Sequence, residues 1–213
     1  MKALFSTTAL LLLHFAASAS PAWELKKNQD SIKVYTANAD NSNVKSVRVE
    51  CIINATPSQL TALLLDAKAH EQWVYSTKRS YAIRSTGPGS QLYYSEISMP
   101  WPLANREVVV NFSVSQQPVT KVLTVKAIAI NGELEPKNDK VRVVRSNVIW
   151  TVTPLAPNRL KIEYIADADP GGSVPAWITN MFLTKGPYET FKQLRQEVTK
   201  PAYQKAHFDF IAD

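Results

Sequence analysis

The sequence predicts an α+β fold in which a strongly curved antiparallel sheet carries one long helix across it. Three observations point there. From about residue 80 to 168 the chain runs through successive segments of alternating apolar and polar residues, separated by short turn signals. A capped apolar helix pattern precedes those segments, after Thr56, and a longer one follows them, after Pro170-Gly171-Gly172. Connections this short pair neighbouring strands antiparallel, as a meander.

Taken in order, the chain opens with Lys2, an apolar run centred on Leu10 to Leu13, and the small triplet Ala17-Ser18-Ala19. That is the pattern of a secretory signal peptide over 1–19, with cleavage expected after Ala19. Its apolar core is shorter than the roughly 20 residues a spanning helix needs. The expected mature domain is 20–213. Val47, Val49, Cys51 and Ile53 then fall on one face of the first strong strand, with Arg48 and Glu50 on the other.

Thr56-Pro57-Ser58 caps a helix predicted to run on through Trp73, in which Leu60, Leu63, Leu64 and Ala67 share a face. Strands are predicted at 80–85, 92–99, 106–116, 122–130, 141–154 and 159–168, divided by turn signals such as Gly87-Pro88-Gly89 and Asn131-Gly132. For the last helix Ser173 is the predicted N-cap, Pro175 falls in the first turn, and Val174, Trp177, Ile178 and Met181 keep helical spacing. Tyr188, Phe191, Leu194 and Val198 continue the stripe, with a kink predicted at Gly186-Pro187.

Composition narrows the function classes. A formal charge of +6 is spread along the chain, which favours weak attraction to anionic surfaces such as phospholipid headgroups but lacks the dense basic patch of a nucleic-acid binder. The single cysteine, Cys51, has no intramolecular partner, so the fold stands without disulfides, and its place between Val49 and Ile53 makes it a core residue. No hydrolase nucleophile motif, phosphate-binding loop, dinucleotide fingerprint or zinc spacing occurs; catalytic residues, metal and cofactor are all expected to be none. His70 and His207 are expected at the surface. Asp167 and Asp169 precede the last helix, where carboxylates interact favourably with its dipole.

Several segments together carry a resemblance: Trp73 in HEQWV, MPWPLANRE at 99–107, VIWTVTPL at 148–155, and DPGGSVPAWITNMF at 169–182 followed by GPYETFKQLR. In their order and spacing the chain resembles START-type lipid-binding domains of the helix-grip superfamily, as a secreted bacterial-type member, over nearly all of the mature chain. The resemblance implies a U-shaped sheet around an elongated cavity, the C-terminal helix as its lid, and a lipid-like ligand inside. It also implies a non-enzymatic carrier, monomeric and periplasmic, with transient contact with membrane surfaces and no nucleic-acid partner. The wider superfamily also includes cyclases acting on polyketides in the same cavity, and Glu96 with Tyr94 is the only acid/base pair such an enzyme would find here.

The expected cavity wall is Tyr94, Glu96, Val110, Phe112, Trp150 and Tyr164 from the sheet, with Ile178, Met181 and Phe182 from the lid. Glu96 shares a strand face with Leu92 and Tyr94, so it points either inward or outward with them. Some sterol-binding relatives pair an inward Glu with an Arg on the next strand. Phe112 takes that Arg position here, which argues against a sterol.

Overall fold

The computed structural model describes residues 22–38 and 45–213. The predicted signal segment lies outside the described residues.

A hairpin opens the fold: β1 (Glu24–Gln29) and β2 (Ile32–Asn38) join through Asp30 and Ser31, both at positive φ (53° and 55°). Two positive φ values in a two-residue connection match the twist of the flanking strands, a geometry usually taken by Asn-Gly or Asp-Gly. Without a glycine, and with β1 reading ELKKNQ, this hairpin carries no sequence signal and was not predicted. β3 (Lys45–Ile53) follows, and then the helical segment, whose entry is the predicted capping box. The Gln59 N–H donates to Thr56 Oγ1 (3.2 Å) and the Thr56 N–H donates to Gln59 Oε1 (2.8 Å).

The predicted single helix is two: α1 (Pro57–Leu65) and α2 (His70–Trp73). Asp66 leaves helical geometry at the break, and its carboxylate accepts from the Ala69 N–H (3.1 Å), an interaction that competes with helix continuation.

β4 (Thr77–Gly87), β5 (Ser90–Ile97), β6 (Arg106–Gln116) and β7 (Leu123–Ile130) form the predicted meander. The predicted strand at 141–154 divides into a short β8 (Val141–Arg142), parallel to β6, and β9 (Arg145–Ala156). β10 (Arg159–Asp169) completes a ten-stranded sheet in the order β1-β2-β3-β10-β9-β7-β6-β5-β4, with β8 off this path. The predicted α+β architecture, a curved antiparallel sheet with a C-terminal helix, is the one observed.

The C-terminal helix is three pieces in one run. α3 (Ala176–Asn180) has Pro175 rather than Ser173 at its N-cap; a π-helical turn covers Met181–Lys185; α4 covers Gly186–Glu197. Pro187 has no N–H to give to the turn before it. The expected irregularity is therefore present, displaced into the turn that precedes Gly186-Pro187. A short α5 (Pro201–Gln204) follows. The core lies between sheet and helices, built from Val34, Val49, Ile162, Leu63, Phe191 and their neighbours. Cys51 is in it, 4 % exposed, its thiol pushed up to about 12 chiefly by burial, which makes it inert. No helix among the described residues is long and apolar enough to cross a membrane.

Candidate functional site

Beneath the C-terminal helix the sheet encloses a cavity of about 660 Å³, in the range of sites that bury one small ligand. Its wall is formed where alternate residues of β3, β5, β6, β9 and β10 point to the concave face. Five of the predicted wall residues are there: Val110, Phe112, Trp150, Tyr164 and Phe182. Trp150 packs edge-on against Tyr164 (5.2 Å between ring centroids), and both rings rest near Phe191 of α4 (5.1 and 5.3 Å).

Four predicted wall residues are elsewhere. On β5 the parity is opposite to that predicted: Tyr93, Ser95 and Ile97 face the cavity, while Tyr94 and Glu96 point to the convex side. Glu96 pairs in register with Glu107, not with Phe112, which pairs with Gln91 on the concave face. The segment between β7 and β8 closes over this convex patch. Tyr94 donates to Glu107 (2.9 Å), as do the Lys137 N–H (2.9 Å) and Arg142 (Nη2, 2.9 Å), while Asn105 donates to Glu96 (2.8 Å) beside Lys78 and Lys140. Burial pushes the Glu107 carboxyl up, but the Lys137 N–H, the Tyr94 hydroxyl and Arg142 outweigh it and hold the group below the usual carboxylate range. Both faces of β5 are thus buried, so apolar content does not distinguish inside from outside.

In the lid, Thr179, Phe182 and Leu183 line the cavity, whereas Ile178 and Met181 do not. Thr179, Phe182 and Leu183 keep helical spacing, but on a face one residue along from the predicted stripe. Ile178 is still buried, at 1 % exposure.

Of the polar wall residues that sequence reasoning missed, three bear most on the site. His70, expected at the surface, is 6 % exposed and sits edge-on to Trp73 and Tyr93 (5.4 and 5.0 Å) with Nε2 at 3.1 Å from the Leu64 carbonyl. Burial lowers its pKa to about 4, so it is neutral and Nε2–H is the donor. The signal was its spacing of three from Trp73 on one helical face. His207 is exposed, as expected. Arg106 is 4 % exposed and binds the backbone of the turn that leads into the lid. It donates to the carbonyls of Ala104 (2.7 Å), Pro170 (3.2 Å) and Gly171 (2.9 Å). Gly171 and Gly172 both take left-handed φ (68° and 66°), and a Cβ on Gly171 would stand 3.2 Å from Val141. Tyr93 is the third.

Asp167 and Asp169 are not a pair: Asp167 accepts from Ser46, and Asp169 accepts from the Gly171 N–H (3.0 Å) near Arg145 (3.6 Å). No group of residues fit to hold a metal occurs among the described residues.

The rim of the cavity is this same corner, where Met99, Arg106, Asp169, Pro170 and Gly172 line the wall. Trp101, 90 % exposed, stands on the loop beside it, and Trp177, 59 % exposed, on α3.

The START domain family model matches residues 4–203. An uncharacterized protein of Pseudomonas aeruginosa is 27 % identical over 179 residues, covering 84 % of this chain and 87 % of that one. A crystallised fragment of a STAR-related lipid transfer protein from Xanthomonas axonopodis is 31 % identical, with TM-score 0.76, over 84 % of this chain and 99 % of the fragment. Human STARD10 shares the fold at TM-score 0.73 and 20 % identity, over 86 % of this chain and 76 % of that structure. The enclosed cavity, the ten-stranded curved sheet and these matches together identify the chain as a member of the START domain family.

Proposed function

We propose that the protein is a non-enzymatic carrier that holds one lipid or similar amphiphile in this cavity and releases it at a membrane surface. The observation that carries the reading is the cavity itself: about 660 Å³ lined by side chains such as Val108, Val110, Phe112 and Leu183, beneath a helix lacking strong anchorage at that end. Burial of about 300 Å² of ligand surface at roughly 25 cal/mol per Å² supplies on the order of 7 kcal/mol before the costs of ordering. The Xanthomonas relative named as a lipid transfer protein supports the same class of cargo.

Exposed Trp101 and Trp177 beside the rim suit the water–lipid boundary, where amphipathic rings settle, and the net positive charge favours anionic headgroups. On this reading the N-terminal segment directs secretion, the mature chain 20–213 works in the periplasm as a monomer, and cell fractionation with size-exclusion chromatography tests both placements. A cyclase-like enzyme would require an acid/base pair facing the cavity, and Glu96 and Tyr94, the pair nominated for it, face the opposite side of β5. Organic extraction of the purified protein followed by mass spectrometry tests the carrier reading. A co-purified amphiphile at near-stoichiometric amount is expected; protein that neither retains nor takes up any amphiphile refutes it.

A further inference from the structure

Two tyrosine hydroxyls face this largely apolar chamber without a partner among the described residues. Tyr93 on β5 and Tyr164 on β10 both line the cavity, and neither hydroxyl makes a hydrogen bond to any described residue, whereas Tyr94, Tyr188 and Tyr203 all donate to carboxylates. In sheet order β10, β9, β7, β6, β5, the two strands are four steps apart, about 19 Å on a flat sheet at ~4.8 Å per step. Curvature closes that gap, since both side chains line one chamber of about 660 Å³.

Their depth follows from the register. Tyr164 lies five residues before Asp169 on β10, and Tyr93 lies four before Ile97, which pairs with Arg106 at the rim. At ~3.3 Å per residue both stand roughly 13–16 Å below the rim. A hydroxyl that opens on a cavity without a protein partner is free to bond a ligand, and two that line one chamber from different strands offer a place for an acceptor or donor on the cargo.

We infer that Tyr93 and Tyr164 form a polar station that recognises an oxygen function, a hydroxyl or carbonyl, part-way along the apolar body of the ligand. The cargo class is then an oxygenated amphiphile rather than a plain hydrocarbon chain. This rests on the carrier reading above.

Three probes separate the possibilities: octadecanoic acid, 2-hydroxyoctadecanoic acid and 12-hydroxyoctadecanoic acid. With the carboxylate at the Arg106 rim, the 12-hydroxyl lies about 14 Å along an extended chain, at the level of the tyrosines. Titration monitored by tryptophan fluorescence, Trp150 being in contact with Tyr164, should give the 12-hydroxy acid about tenfold tighter binding than the other two. The double variant Tyr93→Phe/Tyr164→Phe should erase that preference, bringing the 12-hydroxy acid to the affinity of the other two, and melt no lower than the wild type, since it removes only unpartnered hydroxyls. Equal affinity for all three probes, or a 12-hydroxyl preference that survives in the double variant, overturns the station while leaving the carrier reading in place. Failure of every probe to bind overturns both.

Discussion

The two halves of the C-terminal helix run are built differently. In α4, Tyr188, Phe191 and Leu194, with Val198 just beyond, are all 2 % exposed or less and follow helical spacing into the core. The half is also tied down from outside: Tyr188 donates to Asp30, Arg195 donates to the Asp30 and Ser31 carbonyls of the β1–β2 turn, and Thr190 accepts from the Tyr75 N–H (3.0 Å). From 177 to 185 only Ile178 is buried, Trp177 faces outward, and the side-chain hydrogen bonds, Thr179 to the Pro175 carbonyl and Thr184 to the Asn180 carbonyl, reach only four residues back along the same run. Local stability follows buried apolar contact and tertiary hydrogen bonding. One half of the helix therefore belongs to the core and the other covers the cavity, the two joined at a π-helical turn, and the carrier proposed above would open at the second.

Truncation should separate the halves most strongly. Phe191→Ala removes a ring packed between Trp150 and Tyr164 and is expected to cost about 3–5 kcal/mol in denaturant unfolding. Phe182→Ala, in the half-exposed lid, should cost under about 1.5 kcal/mol and show its effect in weaker ligand binding. Equal losses of stability at the two sites would erase the distinction.

Acid should loosen the anchored half through His70, which packs on Trp73 in the helix pair against which α4 rests. Its folded pKa, about 4, lies below the unfolded value, so the unfolded chain binds the additional proton between those values. The contribution is complete above about pH 6.5 and is lost as pH falls through 4, by up to about 3 kcal/mol. Equilibrium unfolding across that window should show this slope, and His70→Gln should flatten it. An unchanged slope in the variant would assign it to other groups.

Kinetics probe the joint between the halves. A Cβ at Gly186 would stand 3.1 Å from Tyr75 Cδ1, and an alanine at 187 restores an N–H. Stopped-flow transfer from vesicles to Gly186→Ala/Pro187→Ala should be about three- to tenfold slower in uptake and release alike, with affinity within about twofold. Unaltered rates with a shifted melting temperature would make the joint a packing feature. The smallest effect is expected at Glu96, which faces away from the cavity. Glu96→Gln should change affinity for hydroxylated and plain ligands by less than about twofold, and a larger loss confined to hydroxylated ligands would place it inside.

How far the sequence could be read depended on whether one face of an element or both were buried. β6 was legible to the residue and the Thr56 capping box was explicit, because a polar flank or a side-chain cap marked each. Residues such as Phe112, Trp150 and Tyr164 could be placed inward because their strands carry polar residues, such as Asn111, Thr151 and Glu163, on the other side. β5 could not be read this way, since the 131–142 segment covers its convex face and Tyr94 is as buried as any core residue. Arg106 gave no signal as a wall residue, because the turn carbonyls that hold it are remote in sequence. The lid stripe failed for a third reason: Ile178 and Met181 are as apolar as Phe182 and Leu183, so the sequence did not distinguish the helix face that meets the cavity from its neighbour. The β1–β2 hairpin was missed because its turn takes positive φ without a glycine.

Hydrogen exchange of the free and ligand-loaded protein, resolved along the C-terminal helix, tests the division into core and lid most directly. The amides of 177–185 should exchange at least tenfold faster than those of 188–197 in the free protein. Loading with 12-hydroxyoctadecanoic acid should slow the first group and leave the second unchanged. Uniform exchange along the whole helix, or protection on loading that falls on 188–197 alone, would contradict a lid that opens independently of the core.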